Sequence, residues 1–578
     1  MTVKHQTKSK KGNITQGGNN MTKTKRVAAM MMAAAMGTSM IGVIPAAAEE
    51  EATNIWASDV DTSEPMTLKL ALTQSSMVTD YENNYFTKYL EDKLNINIEF
   101  YMLPADAAET RTKVNLMATS NEDLPDVMIT DGHLTNEMIL QLGDSGFFAP
   151  LNDYLNDPEV MPNFNAIPDE DREDILQATT MADGNIYGFA AYEPETWNLT
   201  PNRMFINRAW LDKLGLEVPT TTDELKTVLE AFRDGDPNGN GVQDEIGVYG
   251  FAGGGYGENT VDALMNAFIF WNGGLSLSDD GTEGIAPFTQ DAWREGLTYL
   301  NELSSEGLLS ANIFTDDGQQ FKAILNQETP IVGLTTAGSL SNWPDVKNNK
   351  NFAEMEMIEP LKGPEGVQYT PYNPYTPGQE MYIIEGTDKL DLALKFADEF
   401  FNIDTGLIER FGEEGVDWTR DPKDLEGQTN AYVEAGLYDK LSMLVISTIW
   451  SDNQSQTWRN HGPRYASLEM GNTVYDYSSG NKFDVNDPTQ LNAKCYELYY
   501  PKHPEYVLPT LKYTLDETEL IQEQLTTLPT FVDQCMAEFI TGARSLDDAG
   551  WNAYLNELET MGLSTWLETA QVAYDRTK

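Results

Sequence analysis

Between positions 236 and 245 the chain reads Asp-Pro-Asn-Gly-Asn-Gly-Val-Gln-Asp-Glu, a run of oxygen donors folded around glycines. Asp236, Asn238 and Asn240 recur at every second position, and Gly241 stands sixth, where a calcium loop turns sharply. Hard cations take six to eight oxygens, and alternating side chains about a tight turn aim theirs at one centre. The candidate ligands are Asp236, Asn238, Asn240, Val242, Asp244 and Glu245, holding a structural Ca2+. The spacing departs from the helix-loop-helix version: Asp244 and Glu245 arrive early, and Gly247 occupies position twelve in place of a bidentate glutamate. An Asn-Gly surface turn that binds nothing is the alternative.

Other chemistries find little support. The Gly253-Gly254-Gly255 run lacks the lysine and hydroxyl residue that reach a phosphate and its metal. There is no Gly-x-Ser-x-Gly, no His-Glu-x-x-His and no Cys/His pair. The four histidines stand in unlike contexts, which gives zinc no ligand cluster. A glycosidase needs two carboxylates at a fixed separation, and 91 acidic residues supply pairs by chance. Cys495 and Cys535 could form one disulfide or remain two buried thiols.

The elements that position the loop follow from periodicity. Residues 66–72 alternate as a strand, 81–94 carry Phe86, Leu90 and Leu94 at helical spacing, and 97–103 read as a second strand. A helix over 110–118 and a strand over 127–130 continue the alternation, which predicts a parallel α/β sheet. Helices over 210–214 and 222–232 precede the oxygen-rich loop, and strands over 246–251 and 330–334 follow it. A strand over 379–384 and a helix over 391–401 come next; the last third is helical, with periods over 517–526, 532–540 and 550–558.

Several motifs together resemble one family. The Asn207-Arg208-Ala209-Trp210-Leu211-Asp212-Lys213-Leu214-Gly215 helix leads into Pro219-Thr220-Thr221-Thr222-Asp223-Glu224-Leu225. Asp123-Leu124-Pro125-Asp126-Val127, Asp183-Gly184-Asn185-Ile186-Tyr187-Gly188-Phe189, Phe539-Ile540-Thr541-Gly542 and Ala573-Tyr574-Asp575-Arg576 stand in matching order. Over roughly residues 65–578 the chain resembles the family 1 extracellular solute-binding proteins of ABC importers. It is most similar to the oligosaccharide-binding branch with LipO-type lipoproteins and alginate-binding proteins, whose members carry the same calcium motif. The resemblance implies a two-lobed α/β periplasmic-binding-protein fold of the Venus-flytrap type II class, with a hinge between lobes. The expected division is 65–190 for the first lobe, 191–375 for the second, 376–435 returning to the first, and 436–578 completing the second as a largely helical part.

Sugars present apolar ring faces edged by hydroxyls, so their sites combine aromatic plates with amide and carboxylate groups. In open α/β lobes ligands sit beyond the carboxyl ends of strands, where the resemblance also places the cleft. The candidates there are Asp131 after the 127–130 strand, Tyr192 and Trp197 where the chain crosses lobes, and Tyr256 and Asn259 in the glycine-rich loop. Trp271 precedes an Asn-Gly-Gly turn, Trp343 lies in the polar loop beyond the 330–334 strand, and Trp450, Trp458 and Arg459 flank a Ser-Asp-Asn-Gln-Ser-Gln segment. Each large aromatic also has the ordinary alternative of serving as core.

The N-terminus predicts export. Lys23, Lys25 and Arg26 precede an apolar run over 27–44, and Pro45-Ala46-Ala47-Ala48 offers a cleavage site before Glu49, leaving an acidic linker over 49–64. Residues 1–20 read as an extended leader or as an upstream start ahead of Met21; an uncleaved anchor is the alternative. No cysteine precedes Cys495, so lipid attachment after the apolar run is not expected, and the chain goes to a periplasm or to the outer face of the envelope. Loss of the first 48 residues, seven of them basic and none acidic, takes the formal charge from −53 to −60. That field disfavours nucleic acid and anionic membranes. The expected function is capture of an oligosaccharide by a monomeric, non-catalytic protein that delivers it to ABC permease subunits. The alternatives are a peptide or other non-sugar ligand, or a ligand-presenting accessory of a membrane sensor.

Overall fold

The computed structural model describes residues 64–578 apart from 121–122, 195–198, 255, 339–341, 345–347, 435, 448–452, 460 and 477–493. The leader, the cleavage site and most of the acidic linker lie outside the described residues, as do Trp197 and Trp450.

With strands numbered in chain order, the first sheet contains β1 (Met66–Thr73), β2 (Ile96–Leu103), β3 (Val127–Ile129), β4 (Gly188–Tyr192), β11 (Gly378–Ile383) and β14 (Arg464–Tyr465). Their order is β14-β4-β11-β3-β1-β2. β1 pairs in parallel with β2 and β3, with Leu70 opposite Phe100 and Val127. β11 is inserted antiparallel between β3 and β4. The all-parallel expectation therefore holds for β1–β3 and fails at β11, whose late return to the sheet carries it in from the opposite edge. A bulge between Gln379 and Met381 interrupts its pairing with β4. The strands are buried on both faces at the centre: Leu70, Ala71, Leu72, Val127, Met128 and Met381 have no exposed surface.

The second sheet has the order β10-β5-β9-β6, from β5 (Met204–Asn207), β6 (Ile246–Val248), β9 (Val332–Thr336) and β10 (Met355–Met357). β5 is antiparallel to β9, with Met204 opposite Thr336, while β6 and β9 run parallel. The Thr222–Gly235 helix packs Leu225, Val228, Leu229 and Phe232 against this sheet's core; the Thr221 side chain caps it by accepting from Glu224 N–H. A hairpin of β7 (Ser276–Leu277) and β8 (Gly284–Ile285) and a small sheet of β12 (Trp418–Thr419), β13 (Met443–Val445) and β15 (Val474–Asp476) complete the strands.

Two segments differ from the sequence division. β14 pairs with β4, and Trp458 packs against Phe86 and Phe100, so residues 453–459 and 461–465 lie with the first sheet although the sequence places them beyond the return at 436. The periods over 517–526 and 532–540 are one helix, Leu515–Thr541, running through Pro529. Proline removes one backbone donor and breaks the sequence pattern there, yet flanking turns and buried contacts hold the helix together. Leu515 packs on the first core, whereas Ile521, Leu528, Val532 and Phe539 belong to the second. Among the described residues no helix is long and apolar enough to cross a membrane.

Candidate functional site

The carboxyl ends of β1, β3 and β4 form one edge of the first sheet. Immediately after β3 the chain turns through Asp131 (φ 52°) and Gly132 (φ 65°), left-handed conformations that aspartate and glycine adopt with least penalty. The turn leaves the Asp131 carboxylate on the edge, half-buried. Asp131 Oδ2 lies 3.4 Å from His461 Nε2 and 3.8 Å from His133 Nε2. His461 Nδ1 is 3.0 Å from the carbonyl oxygen of Thr73, an acceptor only, so the ring hydrogen sits on Nδ1 and Nε2 faces the carboxylate. Burial lowers the His461 pKa, against the opposing pull of Asp131. The edge thus offers acceptor atoms to a ligand hydroxyl. His133, two residues along the same turn, and His461, brought in by the fold, share one carboxylate, although among the described residues no three metal-ligating side chains surround a common point.

The corresponding edge of the second sheet opens on a cavity of about 580 Å³. Asn202, Asn259, Asp262, Asn272, Asn373 and Asp533 line it, with Gly253, Gly254 and Gly257 at its loop. Asn259 caps the Thr260–Met265 helix, and its Nδ2 donates to Asp262 Oδ2 at 2.8 Å. Trp271 Nε1 donates to the other Asp262 oxygen at 2.9 Å. Burial pushes the Asp262 carboxyl up to about 7. Asn202 Nδ2 donates to the Asn259 carbonyl at 3.0 Å, which ties the lead into β5 to the loop. Gly257 (φ 85°) makes that approach possible: a Cβ there would stand 2.2 Å from Pro201 O. Tyr256 flanks the loop and packs over Gly338.

Between the sheets, Glu193 leaves the end of β4 and accepts from Arg410 at 2.6 Å and Arg464 at 2.8 Å. Its N–H donates to Tyr375 Oη at 2.5 Å, and Tyr375 donates to Ala191 O at 3.2 Å, which joins two crossing segments. Glu409 is fully buried nearby and pushed up to about 7 by burial, and burial raises Glu380 well above its usual range.

The sequence-selected residues divide accordingly. Asp131 and Arg459 lie at the first edge; Asn259 lines the cavity at the second, and Tyr256 is not a lining residue but flanks it in the same loop, against Gly338. Tyr192 is buried, donates to Asp171 at 2.9 Å and stacks on Tyr465, which makes it part of the crossing rather than a plate. Three tryptophans are corrections. Trp271 is packed with Phe288 and Trp293, Trp343 with Phe205 and Phe352, and Trp458 among Phe86, Phe100 and Phe400. Their polar turns are at the surface, but the rings fill cores because adjacent apolar strands and helices draw them inward. The turn after Trp271 does line the cavity, through Asn272 and Gly273. Asn202, Asp262, Asn373 and Asp533 were not selected: no local spacing distinguishes them. His133 and His461 have no local signal either.

In the oxygen-rich loop, Asp236 (φ 46°) ends the Thr222–Gly235 helix and accepts from Gly241 N–H at 3.2 Å. Asn238 Nδ2 and Asn240 Nδ2 donate to Asp244 at 2.9 and 3.0 Å, and Val242 N–H donates to Asn240 Oδ1 at 2.6 Å. Both Glu245 carboxylate oxygens are buried without a hydrogen-bond partner among the described residues. The orphaned Glu245 carboxylate, with Asp236, Asp244, two carboxamides and the Val242 carbonyl in the same ten residues, is a donor chemistry that suits a hard cation, although among the described residues no three acidic or histidine side chains converge on one point. Cys495 and Cys535 are both buried free thiols.

The family of bacterial extracellular solute-binding proteins matches residues 78–402. The fructooligosaccharide ABC transporter substrate-binding protein FusA of Streptococcus pneumoniae is 26% identical over 533 residues, covering 89% of this chain and 91% of FusA. FusA in complex with kestose superposes with a TM-score of 0.70 over 88% of this chain and 99% of that one, at 24% identity. It has also been solved as an EF-hand mutant with fructo-nystose. A human-milk-oligosaccharide ("HMO") binding protein of an ABC transporter from Bifidobacterium longum infantis gives 0.72 at 20% identity, covering 89% and 99% of the two chains. The alginate-binding protein AlgQ2, solved without calcium ion, gives 0.62 at 21%, covering 90% and 99%. The structural likenesses establish the two-lobed solute-binding fold.

Proposed function

The chain belongs to the bacterial extracellular solute-binding protein family, and from that premise we propose that it is the substrate-binding component of an ABC transporter for an oligosaccharide. The ligand would be held between the strand-end edges of the two sheets and passed to the permease subunits in the membrane. The observation that carries this reading is the cavity at the second edge, lined by carboxamides and carboxylates. Such groups match the hydroxyls of a sugar, and the volume falls in the usual range for small-molecule sites, roughly 300–1,000 Å³. FusA, which is similar along most of the chain, supports the ligand class. Asp131 faces the ligand from the first edge, Tyr256 and Asn259 from the second; Trp197 and Trp450 remain candidate plates.

No step of covalent chemistry is assigned to these residues, and the protein acts as a non-catalytic, monomeric receptor. Ligand shifts the lobes toward the closed arrangement by its differential affinity for it. The lobes comprise 65–190 with 376–435, and 191–375 with 436–578, except that 453–459 and 461–465 lie with the first sheet. Asp236, Asn238, Asn240, Val242, Asp244 and Glu245 would hold Ca2+, which when bound supplies charge that pins the loop after the Thr222–Gly235 helix. The protein is exported through its N-terminal leader and does not engage nucleic acid.

Thermal unfolding and titration calorimetry against an oligosaccharide panel test the reading. A panel member should raise the melting temperature and bind with one-to-one stoichiometry. Absence of any response across neutral and charged glycans, with calcium supplied, would sink it.

A further inference from the structure

The fold is shared by proteins named for neutral and for uronate glycans, so the fold does not decide which class this chain takes. The lining of the cavity does. Resting on the oligosaccharide reading above, we infer that the site selects uncharged, hydroxyl-rich oligosaccharides and excludes uronate polymers.

The lining holds two carboxylates, Asp262 and Asp533, and five carboxamides, and among the described lining residues there is no Lys, Arg or His. Recognition of a uronate carboxylate calls for a guanidinium or an ammonium, best as a bidentate arginine pair. Here a uronate would meet side chains of its own sign. Asp262 is fixed by Trp271 Nε1 and Asn259 Nδ2, one donor on each carboxylate oxygen, so its side chain is anchored at the cavity wall. Burial leaves Asp262 only partly charged near pH 7, so the negative charge of the lining rests mainly on Asp533, exposed on the Leu515–Thr541 helix.

The nearby cations do not reverse this. Arg203 follows Asn202 in the chain but is 2% exposed and is not a lining residue. Arg544, on the turn after that helix, is engaged by Glu538 and Glu557 at 3.3 and 2.8 Å. Arg459 does face the site from the first edge, but it acts there together with the Asp131 carboxylate, so that edge carries both signs rather than a cationic patch. The formal charge of −53 for the whole chain adds a field that depletes anions around the molecule. Neutral sugars lose nothing by this: carboxylates and amide oxygens accept from hydroxyls, and amide nitrogens donate to hydroxyl and ring oxygens.

Calorimetry with the calcium-supplied protein tests the inference, using neutral probes (kestose, nystose, malto-oligosaccharides, human-milk-type oligosaccharides) and oligogalacturonates and oligoalginates of matched length. At least one neutral glycan should bind, with every uronate weaker by at least about tenfold, the scale on which like-charge juxtaposition discriminates. Raising the salt from about 50 to about 500 mM should narrow that gap, because screening acts only on the charged probe. Asp533→Asn, at an exposed helix position, should narrow it as well. A uronate bound as tightly as the best neutral glycan would overturn the inference and leave the oligosaccharide reading standing. A gap that neither salt nor Asp533→Asn moves would overturn the assignment of selectivity to this cavity. If no glycan of either class binds, the oligosaccharide reading itself fails and takes this inference with it.

Discussion

Asp131 Oδ2 and His461 Nε2 lie 3.4 Å apart at the carboxyl edge of the first sheet, one from the turn after β3 and the other from the segment leading into β14. With Nδ1–H committed to Thr73 O, both facing atoms are acceptors, so a ligand hydroxyl set against the pair can donate to either. Asp131→Asn should weaken ligand binding by about tenfold to a hundredfold, the range of one hydrogen bond to a charged group, while leaving the melting temperature of the free protein within a few degrees. Calorimetry and thermal scans on the same preparation measure the two effects.

The same histidine sets an acid-side slope. Burial lowers its pKa below the ordinary 6.5, opposed by Asp131 and Thr73 and aided by His133 and Arg459. Below 6.5 the unfolded chain takes up a proton that the folded ring resists, so stability falls as pH drops through about 6 and levels off beneath the folded pKa. His461→Gln should flatten that part of the curve of melting temperature against pH; an unchanged slope would assign it to other groups.

Glu409 works in the other direction. Its carboxyl is raised from 4.5 to about 7 by burial, despite the neighbouring Arg464 and Arg410. The folded state therefore holds the proton more tightly, and stability present below pH 4.5 is lost as pH rises through 7. Glu409→Gln should be more stable than the parent at pH 8 by about 1–3 kcal/mol and nearly equal to it at pH 4. Denaturant titrations at the two pH values check the sign.

Trp458 is fully buried, with Nε1 donating to Thr87 Oγ1 at 2.8 Å. Trp458→Ala should cost about 3–5 kcal/mol of stability, the usual price of emptying an aromatic core site. Trp458→Phe should lose less, and its folded fraction should bind ligand with parental affinity. Reduced affinity at unchanged stability would return this ring to the ligand site.

Chelation should lower the melting temperature, since a ligand at a hundredfold excess over its Kd contributes about 2.7 kcal/mol. Asp236→Ala and Glu245→Gln should abolish the calcium response without removing glycan binding. Equal melting curves with and without chelator would leave the 236–245 loop an ordinary turn.

Much of the scaffold was legible because it is encoded locally. The 222–232 period, its threonine cap and the closing Asp236 give the Thr222–Gly235 helix with a shift of three residues at its end. β1, β2 and β3 follow from alternation and from strand-helix succession. The antiparallel seat of β11 was not legible, because strand direction depends on which edge the returning chain approaches. Nor was the continuity of Leu515–Thr541: Pro529 is a local break that long-range contacts of Leu528 and Val532 overrule.

The site shows the same division. Spacing alone identified the oxygen-rich loop, since all its donors fall within ten consecutive residues. The glycine-rich loop holds Asn259 and the turn after Trp271 holds Asn272, both of which line the second-edge cavity, whereas the Trp271 indole packs inward. By itself, then, the sequence determined the family motifs and the strand-helix scaffold, and it gathered the oxygen donors proposed for calcium within ten residues, all features of near neighbours. Only the tertiary structure decided which aromatics are core, that Asp131 meets His133 and His461, and that the second edge is lined by carboxylates and amides without a cation among its described residues. The meeting of Asp131 with His461 and the approach of Asp533 to the Asn202–Asp262 loop join residues hundreds of positions apart, and side-chain direction across such distances is set by packing, which no local spacing records.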